Sequence, residues 1–285
     1  MNPAHSVRQA DARDEVIASP VTCPGCGLLC DDVVIAVEGA KVVAKNNACS
    51  RSIAFFQQAN SPINEPRISG KSALLEDALQ KAAEILRVAR QPLIAGLGTE
   101  VYGMRAVLEL ADQTGATLDH MNSAANMRNV LAMQNSGWQT TTLTEVRNRA
   151  DLVLIIGTDI VSRFPRFFER AVWNCESMFG QDTTTRDIVY LGGPDIDTSA
   201  GVSPKGIQPT TIPCDNRDLP VVIAALLALA AGKALQTDSV AGIPVADLEH
   251  LVTRLAAAKY SVIAWAAADL DFPQADLTVH KIAEL

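Results

Sequence analysis

Four of the six cysteines in this chain of 285 residues lie close together near its start. They are Cys23, Cys26, Cys30 and Cys49, in the pattern C-x2-C-x3-C-x18-C. Thiolates are soft metal donors, and two residues between the first pair allow one loop to present both sulfurs to one ion or cluster. Disulfides or inert buried thiols are the alternative, but dense disulfides are typical of much smaller secreted domains. The spacing therefore predicts a site for a metal ion or an iron–sulfur cluster.

A cluster of arginines follows a predicted strand in the second half of the chain. Arg163, Arg166 and Arg170 bring three guanidinium groups close together in the sequence. Such groups bind carboxylates or phosphates in a bidentate manner. Pairing with Glu169 or Asp159 at a solvated helix start is an equally simple interpretation. The cluster is therefore a candidate anion site for which the sequence leaves both interpretations open.

Groups suited to catalysis are few. Of the four histidines, only His120 directly follows a predicted strand, and a hydrogen-bonded surface or core histidine is the simpler interpretation. Cys175 and Cys214 stand alone in apolar contexts, which predicts core thiols. The sequence contains no Gly-x-Ser-x-Gly, HExxH or paired Cys-His motif. The residues themselves predict a protein that binds a ligand rather than one that catalyses a reaction.

Short elements frame the cysteines. Residues 1–20 carry charges and no apolar run, which predicts a flexible tail and not a signal peptide. Asp31–Val43 contains two β-branched runs joined by a turn, which predicts a hairpin. A short helix is predicted over Ser50–Gln58, and Asn60–Gly70 has the composition of a linker. We therefore predict a small cysteine-rich hairpin domain over residues 21–70.

Helix and strand patterns alternate over the rest of the chain, residues 71–285. The predicted strands are 92–96, which is expected to be buried, 116–119, 151–157, 188–191 and 261–265. The predicted helices are 74–89, 106–114, 130–134, 145–149, 167–178, 221–231 and 246–258. This alternation indicates an α/β domain whose parallel sheet is covered by helices on both faces. The pattern at 277–285 begins a helix without a stop signal, so either the domain is C-terminally truncated or a terminal helix frays.

Composition argues against several classes of partner. The formal net charge of −8 and the pI near 5.0 give no electrostatic reason to approach nucleic acid or an anionic membrane. The most apolar run, residues 219–231, is shorter than the roughly 20 residues that cross a bilayer, so it is predicted to be a buried helix. Clustered cysteines without an export signal predict a cytoplasmic protein.

Residues 23–32, Cys-Pro-Gly-Cys-Gly-Leu-Leu-Cys-Asp-Asp, followed by Cys49 and a helix, resemble the start of the B subunit of formylmethanofuran dehydrogenase. The resemblance continues through 130–134, 145–151 and 165–166, and it covers the chain from about residue 20 to its end. It implies a molybdopterin oxidoreductase-like fold, with a [4Fe-4S] cluster on the four cysteines and tungsten or molybdenum held by a further cysteine. Members of that family reduce CO2 to formate, which a separate subunit condenses onto methanofuran.

The chain departs from that family at the redox site. Ala125 and Asn126 stand where the resemblance places the metal-binding cysteine and a histidine. A methyl group cannot ligate tungsten or molybdenum, and a carboxamide is neither a soft donor nor a proton shuttle. The family's Asp-Pro-Arg, which helps to hold the pterin, corresponds here to residues 191–193, Leu-Gly-Gly. These departures argue against formate dehydrogenase chemistry and against a bound molybdopterin or tungstopterin.

The same pattern of losses resembles the redox-inactive B subunit of the bacterial formyltransferase/hydrolase complex of methylotrophs. The resemblance implies formyl transfer from formyl-tetrahydromethanopterin to methylofuran, followed by hydrolysis to formate, with both active sites on partner subunits. This chain would then be a non-redox structural subunit of a hetero-oligomer in one-carbon metabolism. Its four cysteines would hold [4Fe-4S] or zinc, or would stay reduced. Arg163, Arg166 and Arg170, with Arg128, would contact the acidic tail of the furan cofactor.

Two alternatives belong to other functional classes. One is an active metallopterin and [4Fe-4S] oxidoreductase in which an oxygen ligand replaces the missing cysteine. The other is a free-standing iron–sulfur electron carrier built on the four cysteines. Tungsten or molybdenum content separates the oxidoreductase from the structural subunit, and a brown colour with a reversible reduction in the isolated chain would favour the electron carrier.

Overall fold

The structure is a computed structural model that describes residues 16–17, 20–39, 41–58 and 64–285. Much of the predicted tail and the start of the predicted linker, residues 60–63, lie outside these ranges. The chain forms two compact units, one of residues 1–61 with 132–285 and the other of residues 62–131. The predicted domains, 21–70 and 71–285, are divided at the linker composition of residues 60–70, and they stay a prediction.

Strands and helices alternate along most of the described chain. The strands are β1 (Val16–Ile17), β2 (Val34–Glu38), β3 (Lys41–Asn46), β4 (Arg67–Ile68), β5 (Lys71–Ser72), β6 (Leu93–Gly96), β7 (Thr117–His120), β8 (Leu152–Ile156), β9 (Asp187–Gly192), β10 (Thr210–Pro213), β11 (Ser239–Val240), β12 (Ile243–Pro244) and β13 (Ser261–Ala264). The helices are α1 (Ser50–Gln58), α2 (Leu75–Val88), α3 (Val101–Thr114), α4 (Ser123–Ser136), α5 (Leu143–Arg149), α6 (Ile160–Arg163), a π-helix (Phe168–Val172), α7 (Leu219–Ala230), α8 (Val245–Ala257) and α9 (Ala275–Glu284).

A small antiparallel sheet lies next to the cysteine loop. Strands β2 and β3 pair antiparallel, and the turn between them includes Gly39 at φ 62°, a conformation that glycine adopts without strain. Strand β1 pairs with β2, so part of the predicted tail is a strand. The fully buried Val33 packs with Cys23 and Cys30 in a cluster of its own. The sheet therefore supports one side of the cysteine loop.

The larger unit is built on a parallel four-stranded sheet with the strand order β10-β9-β8-β13. All five residues of β8, Leu-Val-Leu-Ile-Ile, are buried. Leu152, Leu154 and Ile156 face a core that includes α7, α8 and α9. Val153 and Ile155 face a second core that includes α5 and the π-helix. Alternate side chains of one strand thus fill two cores, which is the pattern of a sheet covered on both faces.

The unit of residues 62–131 has a parallel pair of strands, β6 and β7. Helix α3 begins at the N-cap Glu100, whose carboxylate accepts the N–H of Tyr102 at 2.6 Å, and it ends at Gly115 with φ 64°. No residue of α2 is buried, although its apolar residues recur at helical spacing. The strand predicted at 92–96 forms, but the prediction that it is buried is wrong, because Leu93 is 63 % exposed.

Two further elements differ from the sequence predictions. The helix predicted at 167–178 is a short π-helix followed by irregular chain. Strand β10, Thr-Thr-Ile-Pro, has no counterpart among the predicted strands. Within the described residues, no helix has both the length and the apolar character that crossing a membrane requires.

Candidate functional site

The four clustered cysteines come together at one place in the fold. Cys23, Cys26 and Cys30 lie on a loop that is closed by pairing of Val21 with Val33, and Cys49 directly precedes α1. Cys23 and Cys30 are buried, whereas Cys26 and Cys49 are half-buried, and all six cysteines of the chain are free thiols. The four line a single small cavity together with Gly25, Val33, Asn47, Arg51, Ser52 and Arg166.

Gly25 brings its backbone close to a sulfur atom. Its N–H donates to Cys23 Sγ at 3.4 Å, a bond that stabilises a thiolate more than a thiol. A Cβ atom at this position would lie 3.3 Å from Cys23 Sγ and 3.4 Å from the carbonyl oxygen of Arg51. A side chain here would therefore press on the sulfur, which explains why a residue without Cβ suits the loop.

Arg166 connects the cysteine loop to the larger core from a position far away in the sequence. It is only 6 % exposed, and its guanidinium donates to both carboxylate oxygens of Asp32 at 2.7 Å. The same group donates to the carbonyl oxygen of Asn47 at 2.6 Å and, through Nε, to Glu169 at 2.9 Å. We call Asp32, Asn47, Arg166 and Glu169 the arginine clamp.

Charges around the loop act on its thiols and carboxylates. Burial raises the pKa of Cys30, while the positive charges of Arg166 and Arg170 oppose that rise. Hydrogen bonds from Arg166 hold the pKa of Asp32 below its usual value, and Arg170 does the same for the pKa of Asp31. Burial thus disfavours the thiolate form of Cys30, and a metal ion that binds there would displace the thiol proton.

The donor set and its position suit a thiolate-bound metal. Four thiols line one cavity, one of them accepts a backbone N–H, and a buried cation lies in the cavity wall. Across the described part of the chain, however, no three His, Cys, Asp or Glu side chains are arranged as a ready single-ion site. A single zinc ion would hold the sulfurs about 3.8 Å apart, because its four Zn–S bonds are about 2.3 Å long and tetrahedral. Binding one ion would therefore require the sulfur atoms to move into a tighter arrangement than the structure shows.

The other predicted anion-binding arginines also face carboxylates within the chain. Arg163 forms a bidentate ion pair with Asp269, with Nε 2.7 Å from Oδ2. Arg170 pairs with Asp31 and Asp32. The pairing of Arg166 with Glu169 is the alternative that the sequence offered for this cluster. Contact with a cofactor tail through Arg163, Arg166 and Arg170 stays a prediction.

The crevice between β8 and β13, where the strand order reverses, is the usual ligand position in such sheets. The ion pair of Arg163 and Asp269 lies at this carboxyl edge, and Asn216 donates to the carbonyls of Gly157 at 3.0 Å and Asp269 at 3.1 Å. The hydroxyl of Thr158 accepts the N–H of Ala266 at 2.8 Å. Hydrogen bonds within the chain thus bridge the crevice.

The positions at which the sequence is predicted to lack the redox-site residues of the dehydrogenase family lie at the ends of a helix and a strand. Ala125 and Asn126 are in the first turn of α4, Ala125 is half-buried, and Asn126 is exposed. None of the six cysteines lies between residues 62 and 131, so the sequence of this unit supplies no thiol near position 125. Gly192 ends β9, and a Cβ there would lie 2.3 Å from the side chain of Ile196.

The single cysteines and His120 have different surroundings. Cys214 is 5 % exposed, which confirms it as a core thiol, and burial with nearby Asp218 raises its pKa to about 11. The prediction for Cys175 is wrong, because this thiol is exposed beside Trp173 in an open cavity. His120 Nδ1 accepts the N–H of Asn122 at 3.3 Å, a local hydrogen bond that needs no ligand.

Sequence reasoning missed the clamp residues Asp32 and Asn47, although Asp32 follows Cys30 so closely that it could have been considered.

The fold and the cysteine loop define an α/β protein with an N-terminal thiol site, and comparison with known proteins narrows this class. No family model matches the chain. Its fold is similar to that of acetylene hydratase from Pelobacter acetylenicus, with a TM-score of 0.58 over 94 % of this chain and 43 % of that one, at 10 % identity. At that identity the likeness shows the fold alone.

More specific similarity is to the B subunits of formyl-group enzymes. The B subunit of tungsten-containing formylmethanofuran dehydrogenase 2 from Methanocaldococcus jannaschii is 31 % identical over 238 residues, 80 % of this chain and 53 % of that protein. The B subunit of the formyltransferase/hydrolase complex of Methylorubrum extorquens is 36 % identical over 90 residues, 32 % of this chain and 25 % of that protein.

A solved structure agrees with these relatives. A chain of the formyltransferase/hydrolase complex FhcABCD from M. extorquens, crystallised with methylofuran, matches with a TM-score of 0.60 at 26 % identity. The match covers 76 % of this chain and 55 % of that one, and this chain spans about half the length of the dehydrogenase relatives. The resemblance predicted from the sequence, to the B subunits of formylmethanofuran dehydrogenase and of the formyltransferase/hydrolase complex, is confirmed.

Proposed function

We propose that this chain is the B subunit of a formyltransferase/hydrolase complex and acts there as a non-redox structural component. The observation that carries the proposal is the likeness, at 26 % identity and a TM-score of 0.60, to a chain of FhcABCD. In this role the chain supports formyl transfer to methylofuran and hydrolysis to formate on partner subunits. Tetrahydromethanopterin-linked oxidation of formaldehyde to formate is the matching metabolism, in the cytoplasm.

The chemistry of position 125 supports this proposal over the metallopterin alternative. The dehydrogenase relatives are tungsten-containing by name. The resemblance places the metal-binding cysteine of that family at Ala125, whose methyl group has no lone pair to donate. The strand-end crevice of the sheet is also bridged by the chain's own groups, Arg163 with Asp269. A subunit without electron transfer can keep the packed fold of its relatives and lose the cofactor.

Reconstitution tests the role of the subunit. We expect the chain, co-expressed with formyltransferase and hydrolase subunits from the same source, to purify with them as one complex. Formate release from formyl-tetrahydromethanopterin should depend on the presence of the chain, and formate should not reduce a viologen dye. Failure to co-purify, or formate-dependent dye reduction, would overturn the proposal.

We further propose that Cys23, Cys26, Cys30 and Cys49 bind a metal, as [4Fe-4S] or as zinc. Their shared cavity and the N–H donated to Cys23 Sγ support this assignment. A bound cation removes the mutual repulsion of four thiolates and joins the loop to the start of α1.

Metal analysis of cysteine variants tests this site. Stoichiometric iron with acid-labile sulfide would identify a cluster, and stoichiometric zinc would identify a single ion. Cys30→Ser should lose most of the metal, whereas Cys214→Ser, a core thiol outside the site, should retain it. A wild-type chain, purified without oxygen, that contains neither metal would contradict the assignment.

A further inference from the structure

We propose that Arg166 is the positioning residue that holds the two halves of the cysteine site together for metal binding. The inference deepens the proposed metal site and rests on it. The first half of the site carries Cys23, Cys26 and Cys30, and the second half carries Cys49.

Arg166 contacts both halves of the cysteine site, in each case at a residue two positions away from a cysteine. Asp32 lies two residues after Cys30, and Asn47 lies two residues before Cys49. One guanidinium nitrogen, Nη1, donates to Asp32 Oδ1 at 2.7 Å and also to the carbonyl oxygen of Asn47 at 2.6 Å. The side chain of Asn47 completes the link, because its Nδ2 donates to the carbonyl oxygen of Asp32 at 3.0 Å.

The geometry of these contacts is specific to arginine. Nη1 and Nη2 both bind Asp32, and Nε together with Nη2 binds Glu169, so carboxylates fix the plane of the guanidinium from two sides. The side chain is 7 % exposed, so solvent screens these contacts little. Lysine has one nitrogen and no planar fork, and it cannot make both pairs at once.

Arg170 makes a looser contact with the same loop. It pairs with Asp31 and Asp32, but its side chain is 27 % exposed and that of Asp31 is 73 % exposed. No hydrogen bond from Arg170 to Asn47 occurs among the described contacts, so Arg170 reaches one half of the site only. Arg170→Met therefore removes a comparable charge without separating the halves, and it is the matched control.

Preorganisation explains why such a clamp matters for metal binding. Strands β2 and β3 already pair between Cys30 and Cys49, so the flanking residues around Asp32 and Asn47 are the ones whose ordering costs conformational entropy when the metal binds. The clamp places the two segments beside one cavity before any metal arrives, and its positive charge lies in the cavity wall. Groups that orient metal ligands in this way typically change affinity by about 10–100-fold.

Cobalt titration of the metal-free full chain is the first test. Co(II) bound to thiolates gives charge-transfer absorbance that grows with the number of sulfur ligands. We expect Arg166→Met to weaken Co(II) binding about 10-fold or more and to lower this absorbance, with Arg170→Met close to wild type. Arg166→Lys should not restore the absorbance, since lysine cannot connect both halves. Equal affinity and equal absorbance in wild type and Arg166→Met would overturn the inference.

Thiol alkylation of the metal-free chain separates the clamp from the metal site. Iodoacetamide should label Cys49 at least about 10-fold faster in Arg166→Met than in wild type, because release of the Asn47 segment exposes it. Cys214 should stay slow and report an intact core. If Cys214 is also labelled faster in Arg166→Met, Asp32→Asn is the milder variant to use. It should speed the labelling of Cys49 and leave that of Cys214 unchanged. Unchanged labelling of Cys49 in the folded variant would overturn the clamp. A wild-type chain without Co(II) binding would instead overturn the metal site.

Discussion

Strands β8 and β6 have similar apolar sequences and opposite surroundings. Every residue of β8 is buried, whereas Leu93, Ala95 and Gly96 of β6 are exposed. Strand β8 has a neighbour on each side and helices over both faces, while in the described chain β6 pairs with β7 alone. The comparison teaches that the neighbours of a strand, and not its own residues, determine whether an α/β pattern becomes a core.

Buried polar side chains are also distributed unevenly between the two compact units. In the described residues they lie in the unit that contains the four-stranded sheet, and none lies between 64 and 131. Arg166 and Arg186 are the charged members of this group, at 6 % and 3 % exposure. Apolar side chains of α2 such as Leu75, Leu79 and Val88 are instead 61–80 % exposed. One unit therefore has a packed, internally bonded core, and the other presents apolar surface.

The largest expected effect is a contrast between two leucines. Leu154→Ala in β8 removes a fully buried side chain and should destabilise its unit by about 3 kcal/mol. Leu79→Ala in α2 removes a side chain that is 61 % exposed and should change stability by less than about 0.5 kcal/mol. Urea unfolding followed by circular dichroism measures both units. Tryptophan fluorescence alone would not suffice, since Trp138, Trp173 and Trp265 all lie in the larger unit. Equal losses in the two variants would break the comparison.

Arg186 gives the second expected effect. Its guanidinium donates to the carbonyls of Ala171 at 3.0 Å, Val172 at 2.7 Å and Arg147 at 2.6 Å, near the C-terminal ends of the π-helix and α5. Burial lowers its pKa, but the negative ends of these helices favour a cation. Arg186→Met leaves these carbonyls without their donor and should cost about 2–3 kcal/mol in urea unfolding.

Lys205→Met is the control for that substitution. Lys205 pairs with Asp182 on the surface, where both side chains are more than half exposed, and its loss should cost less than about 1 kcal/mol. If Arg186→Met is no more destabilising than Lys205→Met, the buried arginine does not stabilise the larger unit.

The smallest expected effect is a pH dependence. The native pKa of Asp32 is depressed by Arg166, so its contribution to stability is present above the unfolded pKa of about 3.9 and is lost as pH falls through the native value. Asp32→Asn should therefore be less stable than wild type at pH 7, and the difference should shrink below about pH 4. Glu84, whose pKa is lowered by the exposed Lys81, is the counterpart in the other unit, and Glu84→Gln should show no measurable change. A wild-type to Asp32→Asn difference that is constant from about pH 7 to about pH 2 would contradict this.

Local patterns in the sequence predicted most elements of the fold. The helix over Ser50–Gln58 has the predicted bounds, and the strand predicted at 151–157 is β8. These segments succeed because their residues carry the period of one structure and end at clear signals. The π-helix could not be foreseen, since such helices are rare and no sequence period distinguishes Phe168–Val172 from an α-helix. Strand β10 is four residues long and ends in proline, so it gives little periodic signal.

The candidate site was predictable only in part. The cysteine spacing identified the four thiols that line one cavity. Spacing could not connect Arg166 with Asp32, because Arg166 lies 134 positions after Asp32 and only the fold brings them together. The burial of Cys175 was predicted wrongly for the same reason, since its apolar sequence neighbours do not cover it.

Elemental analysis of the assembled, active complex tests the central claim most directly. Under the proposal that Ala125 replaces the family's metal-binding cysteine, tungsten and molybdenum should be far below one atom per chain, while iron or zinc should match the four N-terminal cysteines. Stoichiometric tungsten or molybdenum in the complex, bound to this chain, would contradict a non-redox role.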